Sequence, residues 1–193
     1  MKNKGLLILG TVIGILIFIG VCCGGYYLSV CSKLVTLSEA VNQQSSYVAA
    51  TYQERSDLIP NLVSVVKGAS TYESDTLKDV TNARVGLTNA IASGDASEMQ
   101  SADEELTKSI NVMVEAYPEI TATQNYLSLQ DQLEGSENRI RVARNYYSDA
   151  IQKYNSYIKK PIIRIIAKNT GYEAAEYFKA SAGAEVAPTV SFN

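Results

Sequence analysis

The side chains in this chain that could do chemistry are gathered into two stretches of opposite sign. Asp95, Glu98, Asp103, Glu104, Glu105, Glu115 and Glu119 make one segment acidic. Paired carboxylates are raw material for metal binding or general acid–base catalysis. The other stretch runs from Arg139 to Lys168 and is basic, with Asp149 its only acid. It is preceded by Glu137 and Asn138 in "GSENRIRVAR", which sets Arg139, Arg141 and Arg144 on adjoining turns of one helix. Guanidinium groups at that density suit recognition of a partner or an anionic group. Polar pairing within a helical bundle, plus a solvated face, explains the same residues more plainly. On that reading Glu137 and Arg141 are i,i+4 partners, worth about 0.2–0.5 kcal/mol. Glu104 and Glu105 point apart on a helix, which argues against a shared metal or proton.

The composition narrows the chemistry further. There is no His among the 193 residues. That removes the usual general base, the commonest metal ligand and the Ser–His and Cys–His nucleophile pairs. No catalytic, cofactor-binding or metal-binding residue is assigned, and an enzyme is not expected. The net charge of −3 gives no global argument for nucleic acid. Cys22, Cys23 and Cys31 cluster in or just after an apolar run, and an odd set so placed is not a disulfide framework. Val21 precedes Cys22, where a bacterial lipid-attachment motif wants a small residue.

Those residues have to be positioned by helices, and the first helix is an anchor. "GLLILGTVIGILIFIGVCCGGYYLSV", residues 5–30, carries no charged side chain. At about 1.5 Å per residue its core spans the roughly 30 Å of bilayer hydrocarbon. A signal peptide has a shorter apolar region and a small-x-small cleavage site; this run is longer and lacks A-x-A, so an uncleaved anchor is expected. Tyr26 and Tyr27 suit the membrane interface. Lys2 and Lys4 precede the span and only Lys33 follows closely. The positive-inside rule then places the N-terminus in the cytoplasm and the rest of the chain outside.

Beyond the anchor the pattern is helical. Leu34, Leu37, Val41 and Val48 continue helical spacing, so the first bundle helix extends the anchor, with a bend at Gly24-Gly25 left open. In "RSDLIPNLVSVVKG", Ser56 or Asp57 can cap a helix and put Pro60 in its first turn, where a missing N–H costs little. The spacing therefore predicts a sharp turn at residues 55–57 and a second helix over 58–91. Gly94, with Asp95 or Ser97 as cap, starts a third helix that ends at Tyr117 before Pro118. The fourth carries a heptad seam through Tyr126, Leu129, Leu133, Ser136, Ile140, Ala143, Tyr147, Ala150, Tyr154 and Tyr157. Its buried tyrosine hydroxyls need polar partners. A short helix is expected over residues 173–182. The fold class is all-α: an N-terminal transmembrane helix and an antiparallel four-helix up-and-down bundle of long helices.

Two blocks carry a family resemblance. "YQERSDLIPNLVSVVKG" with "YESDTLKDVTNAR", and "YPEITATQNYLSLQDQLEGSENRIRVARNYYSDAIQKYNSYIKK", resemble the LemA family of bacterial membrane proteins over residues 26–192. The resemblance implies a transmembrane helix and an extracytoplasmic helical bundle, and carries no established activity or catalytic residues. Ser45 stands where the family often has Trp, and Lys160 where it often has Phe.

The expected organisation is a cytoplasmic stub at residues 1–4, a transmembrane helix at 5–28, an extracytoplasmic bundle at 29–160, and a basic and apolar segment with a tail at 161–193. The expected location is the bacterial cell membrane, single-pass, with the bilayer and an envelope protein as partners. Arg55 and Asp57 at the expected turn, with Arg139, Arg141 and Arg144, are candidate partner contacts. Lys159, Lys160, Arg164 and Lys168 in "KKPIIRIIAK" are candidate membrane-surface contacts, since basic residues among isoleucines suit anionic headgroups. The isoleucines equally suit covering the bundle's open end. The leading functional expectation is an envelope scaffold or protein-interaction module. The alternative is a ligand-binding sensor or receptor signalling through a membrane partner.

Overall fold

In the computed structural model, which describes residues 2–69 and 75–178, helix α1 runs unbroken over Lys2–Ala69. It passes through Gly24-Gly25 and through the expected turn at residues 55–57, so Pro60 lies inside the helix. An interior proline leaves the carbonyl four residues earlier without its donor and ordinarily costs about 3 kcal/mol. Here that carbonyl is Ser56 O, and Arg84 Nε from α2 (Asp75–Ser93) donates to it at 3.0 Å. Pro60 itself faces outward, and the buried stripe of α1 continues past it through Tyr52, Ile59, Leu62 and Val66. Asp57 caps nothing; it is exposed and accepts a hydrogen bond from Gln53 Nε2 at 2.7 Å. The second helix is therefore α2, with Leu77, Val80, Ala83, Leu87 and Ala90 buried. Residues 70–74, between α1 and α2, lie outside those described.

The next two breaks fall where the sequence puts them. Gly94 adopts a positive φ of 74°, which ends α2 without the penalty a Cβ would bring. Asp95 then caps α3 (Ala96–Ala116), accepting from the backbone N–H groups of Ser97 and Glu98 at 2.7 and 2.9 Å. Pro118 opens a 3₁₀ turn, Pro118–Ala122, and α4 follows over Gln124–Ile158. Every seam residue named above for α4 is buried except Leu133 and Tyr157, which are half-buried. Helix α5, Pro161–Asn169, begins on a proline whose missing N–H has no intrahelical role.

After α5 the expectation fails. Residues 173–178 are not helical, and residues 179–182 lie outside the described residues. Gly171, at φ 79°, ends α5 as Tyr172 N–H reaches back to Ala167 O at 2.9 Å. The backbone beyond is held by side chains of α4. Asn155 donates to Ala175 O at 2.9 Å and accepts from Ala175 N at 3.0 Å, while the Tyr154 hydroxyl donates to Glu173 O at 2.7 Å. Backbone groups claimed this way cannot also form a helical ladder.

All regular structure among the described residues is helical. They divide into two compact units, one drawn from Met1–Val41 and Ala150–Ala175, the other from Asn42–Asp149 and Glu176–Asn193. The second unit is a four-helix assembly with Ile59, Leu62, Leu87, Met99, Leu106, Met113 and Ile120 fully enclosed. In the first, Leu34, Ile151, Ile158, Ile163 and Ala167 are buried. The first unit also contains the apolar run. Residues 9–29 are exposed throughout, and burial along α1 follows them at Val30. Its most apolar 18 residues have a mean hydropathy of 2.1, and the helix is long and apolar enough to cross a membrane.

Candidate interaction groove

Three helices of the second unit converge on Arg55. It sits in the buried stripe of α1, three residues after Tyr52 and four before Ile59, and its side chain is 4% exposed. Its Nη1 lies 3.2 Å from Asp103 Oδ1 of α3. Its Nη2 donates to Glu137 Oε1 of α4 at 2.9 Å and to Thr107 Oγ1 of α3 at 3.0 Å. One turn away, Arg144 Nη2 donates to Gln100 Oε1 at 2.9 Å. Gln100 pairs with Arg144 while Asp103 and Thr107 share Arg55 with Glu137, so α3 and α4 run antiparallel. The Arg144 guanidinium also lies 4.7 Å from the centre of the Phe178 ring, a cation–π contact, and Phe178 meets Tyr147 edge-on at 5.3 Å.

Around this cluster is an open groove of about 720 Å³, lined by Arg55, Asp103, Glu137, Arg141, Arg144 and Phe178 among others. Its electrostatics are unusual at two points. Burial raises the Asp103 carboxyl to about 6, against the pull of Arg55 and with help from Glu137. Burial, and then the Asp103 charge, pushes the Tyr52 hydroxyl up to about 12. The Tyr52 hydroxyl and Arg55 Nε are buried without a protein hydrogen-bond partner. The groove can thus present guanidinium and carboxylate groups side by side to an incoming polar segment. Among the described residues no group of three or more Cys, Asp or Glu could hold a metal ion. Glu104 accepts from Gln100 Nε2 at 2.9 Å, a contact within α3.

The structure places the sequence candidates differently from one another. Arg55 is not displayed at a turn; it is the buried centre of the cluster. Arg141 and Arg144 join it on the groove. Glu137 takes Arg55 as its partner where an i,i+4 pair with Arg141 was expected, and Arg141 hydrogen-bonds Asn138 Oδ1. Arg139 lies apart, in an exposed bidentate pair with Glu54 at 3.0 and 2.9 Å, and Asp57 is on the surface. Lys159, Lys160, Arg164 and Lys168 are all exposed and belong to the first unit. Sequence reasoning passed over Asp103 and Tyr52 as site residues. The signal was present: Asp103 holds a stripe position between Met99 and Leu106, and a carboxylate there must be paired or neutralised.

Comparison with known proteins bears on this fold. The model of the LemA family matches residues 44–192, which is most of the chain. The chain belongs to the LemA family. The match takes in every groove residue named above. Two curated relatives are magnetosome protein MamQ 1 and magnetosome protein MamQ 2 of Paramagnetospirillum magneticum (strain ATCC 700264 / AMB-1). Each is 25% identical over 177 residues, covering 77% of this chain and 64% of the relative. This LemA-family chain therefore spans less than two thirds of the length of those relatives. Its family membership and its N-terminal apolar helix make it a membrane-associated helical protein.

Proposed function

We propose that this LemA-family protein is a single-pass envelope protein, N-terminus in the cytoplasm, whose extracytoplasmic helical unit is a scaffold that docks a protein partner in the Arg55–Asp103–Arg144 groove. The observation that carries the reading is the groove itself. Three helices bring opposite charges together beneath an opening already in contact with Phe178, an aromatic side chain on a non-helical segment. A partner segment carrying an aromatic residue and a carboxylate would find the same chemistry there. The enclosed core of the unit supports a surface docking role over a receptor that buries a small ligand, because ligand sites are usually enclosed apolar pockets.

Photo-crosslinking in cells tests it. A photoreactive residue replacing Asn145 or Ser148, both lining the groove, should yield a discrete adduct, and Arg144→Glu in the same chain should abolish it. A probe at the exposed Val85 should give none. Adducts that are equal at all three sites, or unaffected by the charge reversal, would reject the docking role.

A further inference from the structure

Helix α5 has more apolar surface than the protein covers. With about 100° between successive residues, Ile165, Ile162, Ile166, Ile163 and Ala167 form one continuous apolar arc spanning about 200°. Only Ile163 and Ala167, at one end of that arc, are buried. Ile162 and Ile165, at the other, are 63% and 65% exposed. Arg164 and Lys168 occupy the remaining face, and Lys159 and Lys160 lead into the helix. A helix that merely sealed the end of a core would have no reason to carry isoleucine on its open side.

The neighbourhood identifies what covers it. Within the same compact unit, α1 is exposed over residues 9–29 and becomes buried at Val30. That exposed stretch matches the roughly 20 residues a hydrocarbon core requires. Tyr157, four residues before α5 starts, belongs to that unit as well. The Tyr157 hydroxyl is shifted upward first by burial and then by Tyr26 and Cys31 of α1. Lys160 Nζ sits 5.3 Å from the centre of the Tyr157 ring. From Tyr26 to Val30 a helix climbs about 6 Å, and each headgroup layer is about 5–7 Å deep. The residues between Tyr26 and Val30 thus cover one headgroup layer, and α5 belongs to the same compact unit as that segment.

We infer that α5 is an interfacial membrane helix, seating Ile162 and Ile165 at the acyl boundary and Lys159, Lys160, Arg164 and Lys168 on anionic lipid headgroups. The inference rests on the reading of α1 as a membrane anchor. It gives the protein a second, lateral attachment that fixes the rotation of its first unit against the bilayer and makes it sensitive to lipid charge. A basic side chain near an anionic surface multiplies binding roughly fivefold. The apolar contact of Ile162 and Ile165 adds a component independent of lipid charge.

The chain has no Trp, so one introduced indole reports on one place. The full-length Ile165→Trp protein is reconstituted in phosphatidylglycerol-containing nanodiscs, with Val112→Trp, at an exposed site on α3, as the aqueous control. Emission from Ile165→Trp should be blue-shifted, quenched by brominated acyl chains and shielded from acrylamide, with Val112→Trp the reverse. Changing Lys159, Lys160, Arg164 and Lys168 to Gln together should raise acrylamide access in phosphatidylglycerol discs; replacing phosphatidylglycerol by phosphatidylcholine should do the same when the four cations are present and change little once they are gone. Ile162→Trp should behave as Ile165→Trp does, which guards against a local distortion at one site. Acrylamide access equal to the control in discs that retain the protein would overturn the inference while leaving the anchor intact. A blue shift without brominated-lipid quenching would also overturn it, since a second copy would then cover the face. A chain that does not co-elute with the discs would overturn the anchor reading and this inference with it.

Discussion

Removing the Arg55 cation should expose how much of the second unit rests on one buried charge. In Arg55→Met the side chain keeps much of its volume but leaves Asp103, only 13% exposed, beside Glu104 and Glu137 with no cation in contact. Breaking a buried ion pair from one side typically costs about 3–5 kcal/mol. Little of that should come from Glu137, whose side chain is 52% exposed, since pairs at that exposure are worth about 0–1 kcal/mol. The loss should therefore follow the ionisation of Asp103. In the native protein its folded carboxyl titrates at about 6 against 3.8 for the ordinary group. The folded state thus holds more protons between those values, and Asp103 makes stability fall as pH rises from about 4 to about 6. The variant removes the larger of the two influences that lower the folded pKa, leaving Arg144, and leaves the unfolded one unchanged. Its extra penalty must then appear as pH rises above about 6, and shrink below that toward a residue of about 1 kcal/mol for the lost Thr107 hydrogen bond.

Urea titration of the full chain in detergent, followed by far-UV circular dichroism from about pH 5 to about pH 8, reads this directly. The midpoint difference between native and Arg55→Met should widen with pH. Adding Asp103→Leu to the variant should recover most of the loss, because an apolar pair of similar size replaces the orphaned charge. A penalty that is flat across the range, or below about 1 kcal/mol at the alkaline end, would refute the account of the cluster.

Two further substitutions test the backbone arguments. Arg84→Ala should cost about 1–3 kcal/mol by leaving the Ser56 carbonyl unpaired; in a Pro60→Ala background the restored N–H can reach that carbonyl, so a double-mutant cycle by urea unfolding should show the two changes coupled, and additivity would reject the compensation. Asn155→Ala removes both hydrogen bonds to Ala175, and amide exchange at Ala175 should speed up by about 10-fold or more, given about 1–1.5 kcal/mol per bond; unchanged exchange would show that the segment is held by other contacts.

The helical class, the α3 cap and the α4 seam were legible because each rests on local chemistry. Asp95 satisfies N–H groups two and three residues away, Gly94 supplies a conformation that a Cβ resists, and a heptad seam repeats within one helix. What failed was non-local. Pro60 reads as a helix start when only neighbours in sequence are counted, since the usual remedy for its missing donor is to place it in the first turn. The remedy here comes from Arg84, 28 residues beyond the Ser56 carbonyl it serves, and no window of local pattern contains it. The C-terminal segment failed for the same reason, because Asn155 and Tyr154 claim backbone that the residues of 173–178 would otherwise fold into helix.

Arg55 follows from the Pro60 failure, and it shows why the groove was hard to read. A turn at residues 55–57 would have put its guanidinium in water, where pairing with Glu137 would be worth tenths of a kcal/mol. An unbroken α1 instead carries it into the stripe between Tyr52 and Ile59, where it must be paired. The same continuity explains Asp103, which has no reason to sit between Met99 and Leu106 unless a cation reaches it from another helix. Arg84 allows α1 to pass Pro60, the passage carries Arg55 inward, and Arg55 makes an acidic position on α3 tolerable. If Arg84→Ala disturbed the region around Pro60, the Asp103 titration should shift with it, a coupling between sites on different helices that local propensity does not supply.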